Sequence, residues 1–301
     1  MPCRFSPRMS LRFTAKDNEV TLLQSFGDHI HDVLVLLAPA GCDIPPSFRR
    51  CSIDRNRHGR LLRQVQRVRG AIYLADGALQ ASQLTSDGRH VQYYDYDSWH
   101  LLAVDGNGEV HGCARYRHLT GNVGFDDLSV RDSWLARSDR WGLRLRAAVE
   151  SELVCAGQRG TAFAEAGGWA IVPEKRCKVE ALQLAMATYS LARILGGCVG
   201  ISTATERHRS ASILRRIGGR SLEHAGTELP SYYDPQYRCQ MEVLRFDSGV
   251  PDESCRKWVE QMSMGLAEVQ LVAALEPALG HLMQPALPMP WPSLPQLGWV
   301  A

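Results

Sequence analysis

The sequence predicts an α/β fold, a sheet with helical crossovers, on three observations. Residues 98–104 and 110–117 are apolar runs joined through Asp105-Gly106-Asn107-Gly108, a dense hairpin signal. Leu61, Val65, Val68 and Ile72 share one helical face, and Leu145, Ala148, Val149 and Glu152 fall on consecutive turns further along. From Thr161 to Gly219 the chain alternates an apolar strand-like run, a short basic loop, an amphipathic helix, a second strand and an Arg-rich helix.

Residues 1–57 carry no clear period and are broken at Pro45-Pro46, which predicts a partly irregular N-terminal extension. A helix is expected over about residues 60–79, strands over 98–104 and 110–117, a third strand near 123–130, and a helix over 139–155. The next strand covers 161–172, and Val179, Leu182, Met186 and Tyr189 then recur at helical spacing. After Gly219 a Pro- and Tyr-rich loop, 229–237, precedes an alternating strand over 239–246. Pro251 and Asp252 open a last helix to about residue 279. The expected organisation is a main domain over 58–247, a C-terminal helix packed on it over 248–281, and a Pro-rich tail over 282–301.

The chemistry concentrates between residues 161 and 178. Gly167-Gly168 interrupts the apolar strand, and glycine inside a strand often marks a bulge or a close backbone approach by a ligand. Glu165 lies two residues earlier, where a charge must be paired, hydrated at a cleft or shifted toward neutrality. It reads either as a cleft carboxylate able to deprotonate an amine or as a buried partner of a neighbouring arginine. Lys175, Arg176 and Lys178 then crowd a helix start, where cations oppose the helix dipole unless an anion such as phosphate sits there too.

The segment holding Glu165, Gly167-Gly168-Trp169-Ala170-Ile171 and Arg176 resembles the GNAT acyltransferases. The resemblance implies a mixed, mostly antiparallel twisted sheet flanked by helices. It also implies that Gly168, Trp169, Ala170, Ile171 and Val172 line the pantetheine arm of an acyl thioester, and that Lys175, Arg176 and Lys178 hold its phosphate. The family's phosphate loop is half kept: Arg176 and Ala181 match, whereas Val179 replaces the central glycine. Residues 203–219 resemble the segment after the family's next strand, with His208 at the usual Asn, Ser210 at the usual Ala and Leu214 at the usual acidic Tyr. Thr203 and Ser210 then form the second wall of the thioester cleft. His208 is a catalytic base or a hydrogen-bonding wall residue, and Tyr233 a proton donor to the leaving thiolate, with Tyr232 and Tyr237 beside it.

Upstream, Arg69-Gly70-Ala71-Ile72-Tyr73, then 95–102, then Gly112-Cys113-Ala114-Arg115-Tyr116, is similar in order to the acyl-homoserine-lactone synthases and N-acyl amino acid synthases. Arg69, Asp97, Arg115 and Tyr232 then contact the acceptor. The lactone synthases' Glu-x-x-Arg is Glu165-Ala166-Gly167-Gly168 here, which argues against homoserine lactone chemistry. The activity implied is transfer of an acyl group from acyl-CoA, or from the phosphopantetheine of an acyl carrier protein, to a small primary amine such as an amino acid. The alternatives are an acetyl-CoA-dependent N-acetyltransferase and a catalytically silent binding module.

Composition narrows the rest. With 301 residues, 45% hydrophobic and 22% charged, the chain can bury one substantial core. Its longest apolar run, 33–40, is far short of the roughly 20 residues a bilayer span needs, so no membrane span and a cytoplasmic address are expected. Nine cysteines without a Cys-x-x-Cys pair read as reduced thiols rather than disulfides or a metal site. Eight arginines between Arg49 and Arg69 face only Asp54, giving either a solvated basic helix side or a docking surface for something acidic. An acidic carrier protein suits it better than nucleic acid, since no aromatic platform or recognisable nucleic-acid motif accompanies the arginines. No nucleophile elbow, dinucleotide fingerprint or Walker loop is present, which sets aside hydrolase and nucleotide-cofactor chemistry.

Overall fold

Strands Leu34–Leu37 (β1), Cys51–Ile53 (β2), Trp99–Val104 (β3), Val110–Leu119 (β4), Ala162–Ile171 (β5), Cys198–Thr205 (β6) and Arg220–Ser221 (β7) come first in the chain. Glu223–His224 (β8), Thr227–Glu228 (β9), Tyr232–Asp234 (β10), Cys239–Asp247 (β11) and Gln270–Ala273 (β12) follow, in a computed structural model that describes residues 34–175 and 179–274. All but the small β8–β9 hairpin join one sheet, ordered β10-β11-β6-β5-β4-β3-β1-β12-β2 with β7 on β11. Pairing is parallel at β5–β6, β1–β12 and β12–β2 and antiparallel elsewhere, so the sheet is mixed and mostly antiparallel.

Helices Arg55–Ala75 (α1), Gly142–Gln158 (α2), Val179–Ile194 (α3), Ser210–Arg216 (α4) and Arg256–Leu266 (α5) cover both faces. The period-2 alternation of the strands decides which helix each residue meets. Leu101, Ala103, Ala114, Tyr116, Ala164 and Ala166 pack with α3 and α5. On the opposite face Leu102, Val104, Cys113 and Ala170 meet α1, and Phe163, Val199, Ile201 and Val243 meet α2. The β3–β4 hairpin forms as the sequence predicts: the Asp105 carboxylate accepts the Asn107 and Glu109 N–H groups at 2.9 and 3.0 Å.

Besides Tyr232–Asp234 (β10), a strand inside the loop expected over 229–237, the structure differs from the sequence expectation chiefly in four places. Residues 34–53, read as irregular, hold two strands, and β1 is buried on both faces, so it has no alternation to detect. The first helix begins at Arg55 rather than near residue 60 and ends at Ala75; Asp54 caps it by accepting the Arg57 N–H at 2.8 Å. Residues 123–130 are not a strand but two short 3-10 turns, Phe125–Asp127 and Ser129–Asp132. Carboxylates impose the turns: Asp127 takes the Gly124 N–H at 2.8 Å, and Glu165 takes the Ser129 and Val130 N–H groups, both at 3.1 Å. The last helix stops at Leu266, and Gln270–Ala273, read as its continuation, is a strand between β1 and β2. The remainder of that helix reading and the Pro-rich tail lie outside the described residues. Among the described residues no helix is long and apolar enough to cross a membrane.

Candidate active site

β5 and β6 part company in the middle of the sheet. Their parallel ladder ends at Ala166↔Ser202, although β5 runs on to Ile171 and β6 to Thr205, so a wedge opens between them. The cause lies on the other side of β5. Arg115 pairs with Gly167 and Cys113 with Ala170, so Ala114 alone stands opposite Gly168 and Trp169, a β-bulge that bends the strand. Gly168 has φ +63°, and a Cβ there would lie 3.1 Å from the Arg115 Cβ, which is why glycine is needed. The bulge carbonyls are caught by side chains: the Tyr73 hydroxyl donates to Trp169 O at 3.0 Å, and the Cys113 thiol to Gly168 O at 3.6 Å. On the α3 side the wedge continues as an apolar cleft lined by Ala166, Trp169, Thr188, Tyr189, Leu214 and Phe246.

The α1 side is charged instead. Alternation along β4 and β5 points Arg115, Arg117 and Glu165 the same way, into a stripe between α1 and α2. Arg69 of α1 grips Asp95 with two bonds, 2.9 and 2.6 Å, both side chains being fully buried. Gln66 and the Gln92 N–H also donate to that carboxylate. Burial alone would raise the Asp95 pKa, but the Arg69 charge and hydrogen bonds outweigh it and hold the group at about 2. Arg115 donates to Gln92 Oε1 at 2.5 Å and lies over the Tyr94 ring at 4.0 Å, with Arg117 at 5.1 Å from the same ring. Arg117 in turn donates to Glu165 at 2.9 Å and to Asp127 O at 3.1 Å. Gly70 lets the loop before Asp95 approach this closely, since a Cβ on it would meet Gly88 O at 2.6 Å. Burial pushes both His90 and His100 down to about 4, so both rings are neutral at pH 7.

The structure gathers the expected residues into two groups and leaves others apart. Gly168, Trp169, Ala170 and Ile171 form the bulged edge of the wedge, with Val172 just beyond, its N–H bonded to His111 O. Thr203 lies on β6 just past the point of separation, and Ser210 is the first residue of α4. Arg69, Arg115 and Glu165 are in the charged stripe. Asp97 is only loosely joined to it, its exposed carboxylate 3.7 Å from Arg117, while Asp95 is the buried anion. Glu165 accepts four hydrogen bonds, from Arg117, the Ser129 hydroxyl and the Ser129 and Val130 amides. The arginine beside it is Arg117, on the neighbouring strand β4. His208, in the left-handed region at φ 57°, has Nε2 3.2 Å from Asp76 at the end of α1. Beside it Arg207 donates to Asp76 O, and Gln236 to Ala78 O at 3.0 Å.

Tyr233 is exposed on the edge strand β10, and Tyr232 packs against the α2 cluster. Tyr237 has its ring edge-on to Tyr73 at 6.2 Å and its phenol pushed up to about 12 by burial. Lys175 closes the short turn after β5, its N–H bonded to Val172 O, whereas Arg176 and Lys178 lie outside the described residues. Tyr73, Gln92, Tyr94, Asp95, Cys113 and Arg117 were not among the sequence candidates. The one available signal was Arg115-x-Arg117 on an otherwise apolar strand, a spacing that puts both on one face.

No protein-family model matches the sequence, and no curated protein does. Similar solved structures include a CoA-dependent acyl-homoserine lactone synthase, BjaI, with SAM and isopentyl-CoA, 14% identical, covering 83% of this chain and 99% of that one, TM-score 0.49. FeeM, an N-acyl amino acid synthase from uncultured soil microbes, is 12% identical over 66% of this chain and 88% of its own, TM-score 0.43. Arylalkylamine N-acetyltransferase 2 from Aedes aegypti is 16% identical over 62% and 94%, TM-score 0.41.

Proposed function

We propose that this protein is an N-acyltransferase that moves an acyl group from a thioester, carried by coenzyme A or by the phosphopantetheine of an acyl carrier protein, to a small primary amine such as an amino acid. The observation that carries the reading is the wedge: β5 and β6 separate beyond Ala166 and Ser202 at a bulge, with an apolar cleft behind it. A pantetheine arm is an extended chain of amides, and it can take up the backbone groups of β5 that lost β6 as ladder partner. The apolar cleft suits an acyl chain, and the charged stripe with Tyr237 suits a polar acceptor.

The reaction needs little beyond alignment. The amine attacks the thioester carbonyl, a bulge N–H stabilises the oxyanion, and thiolate leaves. A thiol of pKa roughly 8.5 departs without a strong acid, so Leu214 in the apolar lining, where the resembled family has a tyrosine, is compatible with turnover. Glu165 acts as the anchor of Arg117 rather than as the base, because its oxygens already accept four hydrogen bonds. The amine proton leaves through water. On α1, exposed Arg60 and Arg63, with Arg50 before it, form a basic face for an acidic carrier protein. A cytoplasmic location accords with such donors.

The test is direct. Purified protein is incubated with acyl-CoA and matched acyl carrier protein of several chain lengths and a panel of amines, and products are read by mass spectrometry. Acyl amide formed only with protein and only with thioester is expected; free acid alone, or no turnover with any pair, would remove the transferase reading.

A further inference from the structure

We infer that Tyr73 and Cys113 are positioning residues: together they fix the bulged peptides of β5 so that the Trp169 N–H faces the wedge and meets the developing oxyanion. The catalytic half of this inference rests on the acyl-transfer reading; the structural half does not.

A bulge leaves peptide groups without ladder partners, and buried ones must find others. Here the β4 pairing passes from Gly167 to Ala170, leaving out Gly168 and Trp169, and the β6 pairing has already ended at Ala166. Both orphaned carbonyls are taken by side chains rather than by backbone. Tyr73, from the last turns of α1 and 96 residues away in sequence, donates to Trp169 O at 3.0 Å. Cys113 donates to Gly168 O at 3.6 Å and accepts the Ala170 N–H. Burial raises both the phenol and the thiol, the thiol to about 11, so each keeps the proton it donates.

The direction of the Trp169 N–H then follows from peptide geometry. In a trans peptide the N–H points opposite to the C=O. The Gly168 carbonyl is turned toward Cys113 on β4, so the Trp169 N–H of the same peptide points away from β4, to the side where β6 has left the sheet. Gly168 at φ +63° supplies the backbone turn that this orientation needs. If the two latches were released, the Gly168–Trp169 and Trp169–Ala170 peptides could rotate, and the oxyanion donor would no longer be fixed before the substrate arrives.

The variants are Tyr73→Phe, which removes only the hydroxyl; Cys113→Ala, which removes the thiol; and Cys113→Ser, which keeps a donor and an acceptor. Tyr73→Phe and Cys113→Ala should each lower kcat about 10- to 100-fold with donor KM within about threefold, and Cys113→Ser should restore most of the loss. Residue-resolved amide exchange should show the Ala170 N–H, which belongs to the peptide that Tyr73 holds through Trp169 O and which bonds to Cys113, exchanging at least about tenfold faster in Tyr73→Phe, with Leu101 in the sheet interior unchanged. Should Tyr73→Phe fail to fold, the Cys113 pair decides the matter. Wild-type kcat in both latch variants, or a kcat loss that Cys113→Ser shares in full, overturns the inference, and so does unchanged Ala170 exchange. If neither wild type nor variants acylate any amine while Tyr73→Phe still frees the Ala170 amide, the latch stands and the transferase reading falls.

Discussion

On one face of β4 and β5, Ala114, Tyr116, Ala164 and Ala166 belong to the apolar core that packs against α3. On the other, Arg115, Arg117 and Glu165 are buried just as deeply, at 4% exposure each, and are held by pairing. The two faces differ in how they respond to damage. An apolar contact loses stability in proportion to the volume removed, whereas a buried ion that loses its partner bears the full desolvation penalty. The polar face is therefore all-or-none, and with its carboxylates paired to arginines it is also rigid, a suitable floor for a site whose geometry must precede its ligand.

The largest effect is expected from breaking the pair at the centre of that face. Asp95→Asn, which leaves Arg69 buried without its counter-ion, should cost about 3–5 kcal/mol and lower Tm by roughly 10 °C. Arg69→Met combined with Asp95→Leu should recover much of the loss; thermal denaturation of the three proteins checks both statements. If the single variant unfolds at the wild-type temperature, the all-or-none contrast is wrong.

Next comes acid. His100 has a folded pKa lowered to about 4 by burial, against about 6.5 unfolded, so the unfolded chain binds the proton more readily between those values. Its contribution is fully present above about pH 6.5 and is lost as pH falls toward 4, a change on the order of 3 kcal/mol, with His90 adding in the same direction. Asp95, lowered to about 2, adds a further loss below about pH 4. Urea denaturation between pH 7 and 4 should show the slope, and His100→Gln should flatten it.

Glu165→Gln sharpens the comparison at the site itself. As the anchor of Arg117, Glu165 should cost about 3 kcal/mol of stability when neutralised, and the pH profile of kcat should keep its shape. A general base behaves oppositely, with stability nearly kept and the acidic limb of the profile gone. On the apolar face Leu214→Trp should narrow the cleft, raising KM for long acyl donors about tenfold while short donors and Tm change little. The smallest effect on the fold belongs to the surface. Charge reversal at Arg50, Arg60 and Arg63 should leave Tm within the range of ordinary surface changes, yet slow transfer from acyl carrier protein at low salt and spare acyl-CoA.

What could be read from the sequence follows the same division. Gly167-Gly168 announced the bulge because glycine's freedom is a local property, and the β3–β4 hairpin announced itself through its turn. Glu165 was visible as a buried charge, with arginine pairing as one of its two readings. Its partner was not visible, because Arg117 lies 48 residues away and only the sheet register brings them together. Asp95 and Asp97 look alike in sequence; the loop conformation alone decides that the first is buried with Arg69 and the second stays exposed. β12 is not distinguishable from helix in the sequence, because a strand buried on both faces has no alternation to betray it.

That last strand sets a timetable. β12 lies between β1 and β2, pairing in parallel with each, and the Ser52 hydroxyl reaches the Leu271 carbonyl across 219 residues of chain. During synthesis β1 and β2 emerge early, yet neither can complete its ladder until nearly all the described chain has left the ribosome. Until then β1 offers an open hydrogen-bonding edge made of Leu34, Val35, Leu36 and Leu37. Closure therefore depends on one of the longest-range contacts in the molecule, the kind that slows folding and lengthens the exposure of a sticky edge. Release of the nascent chain before residue 270 would yield a protein with its proposed site largely built and its sheet unsealed, a species for chaperones to hold rather than a shorter enzyme.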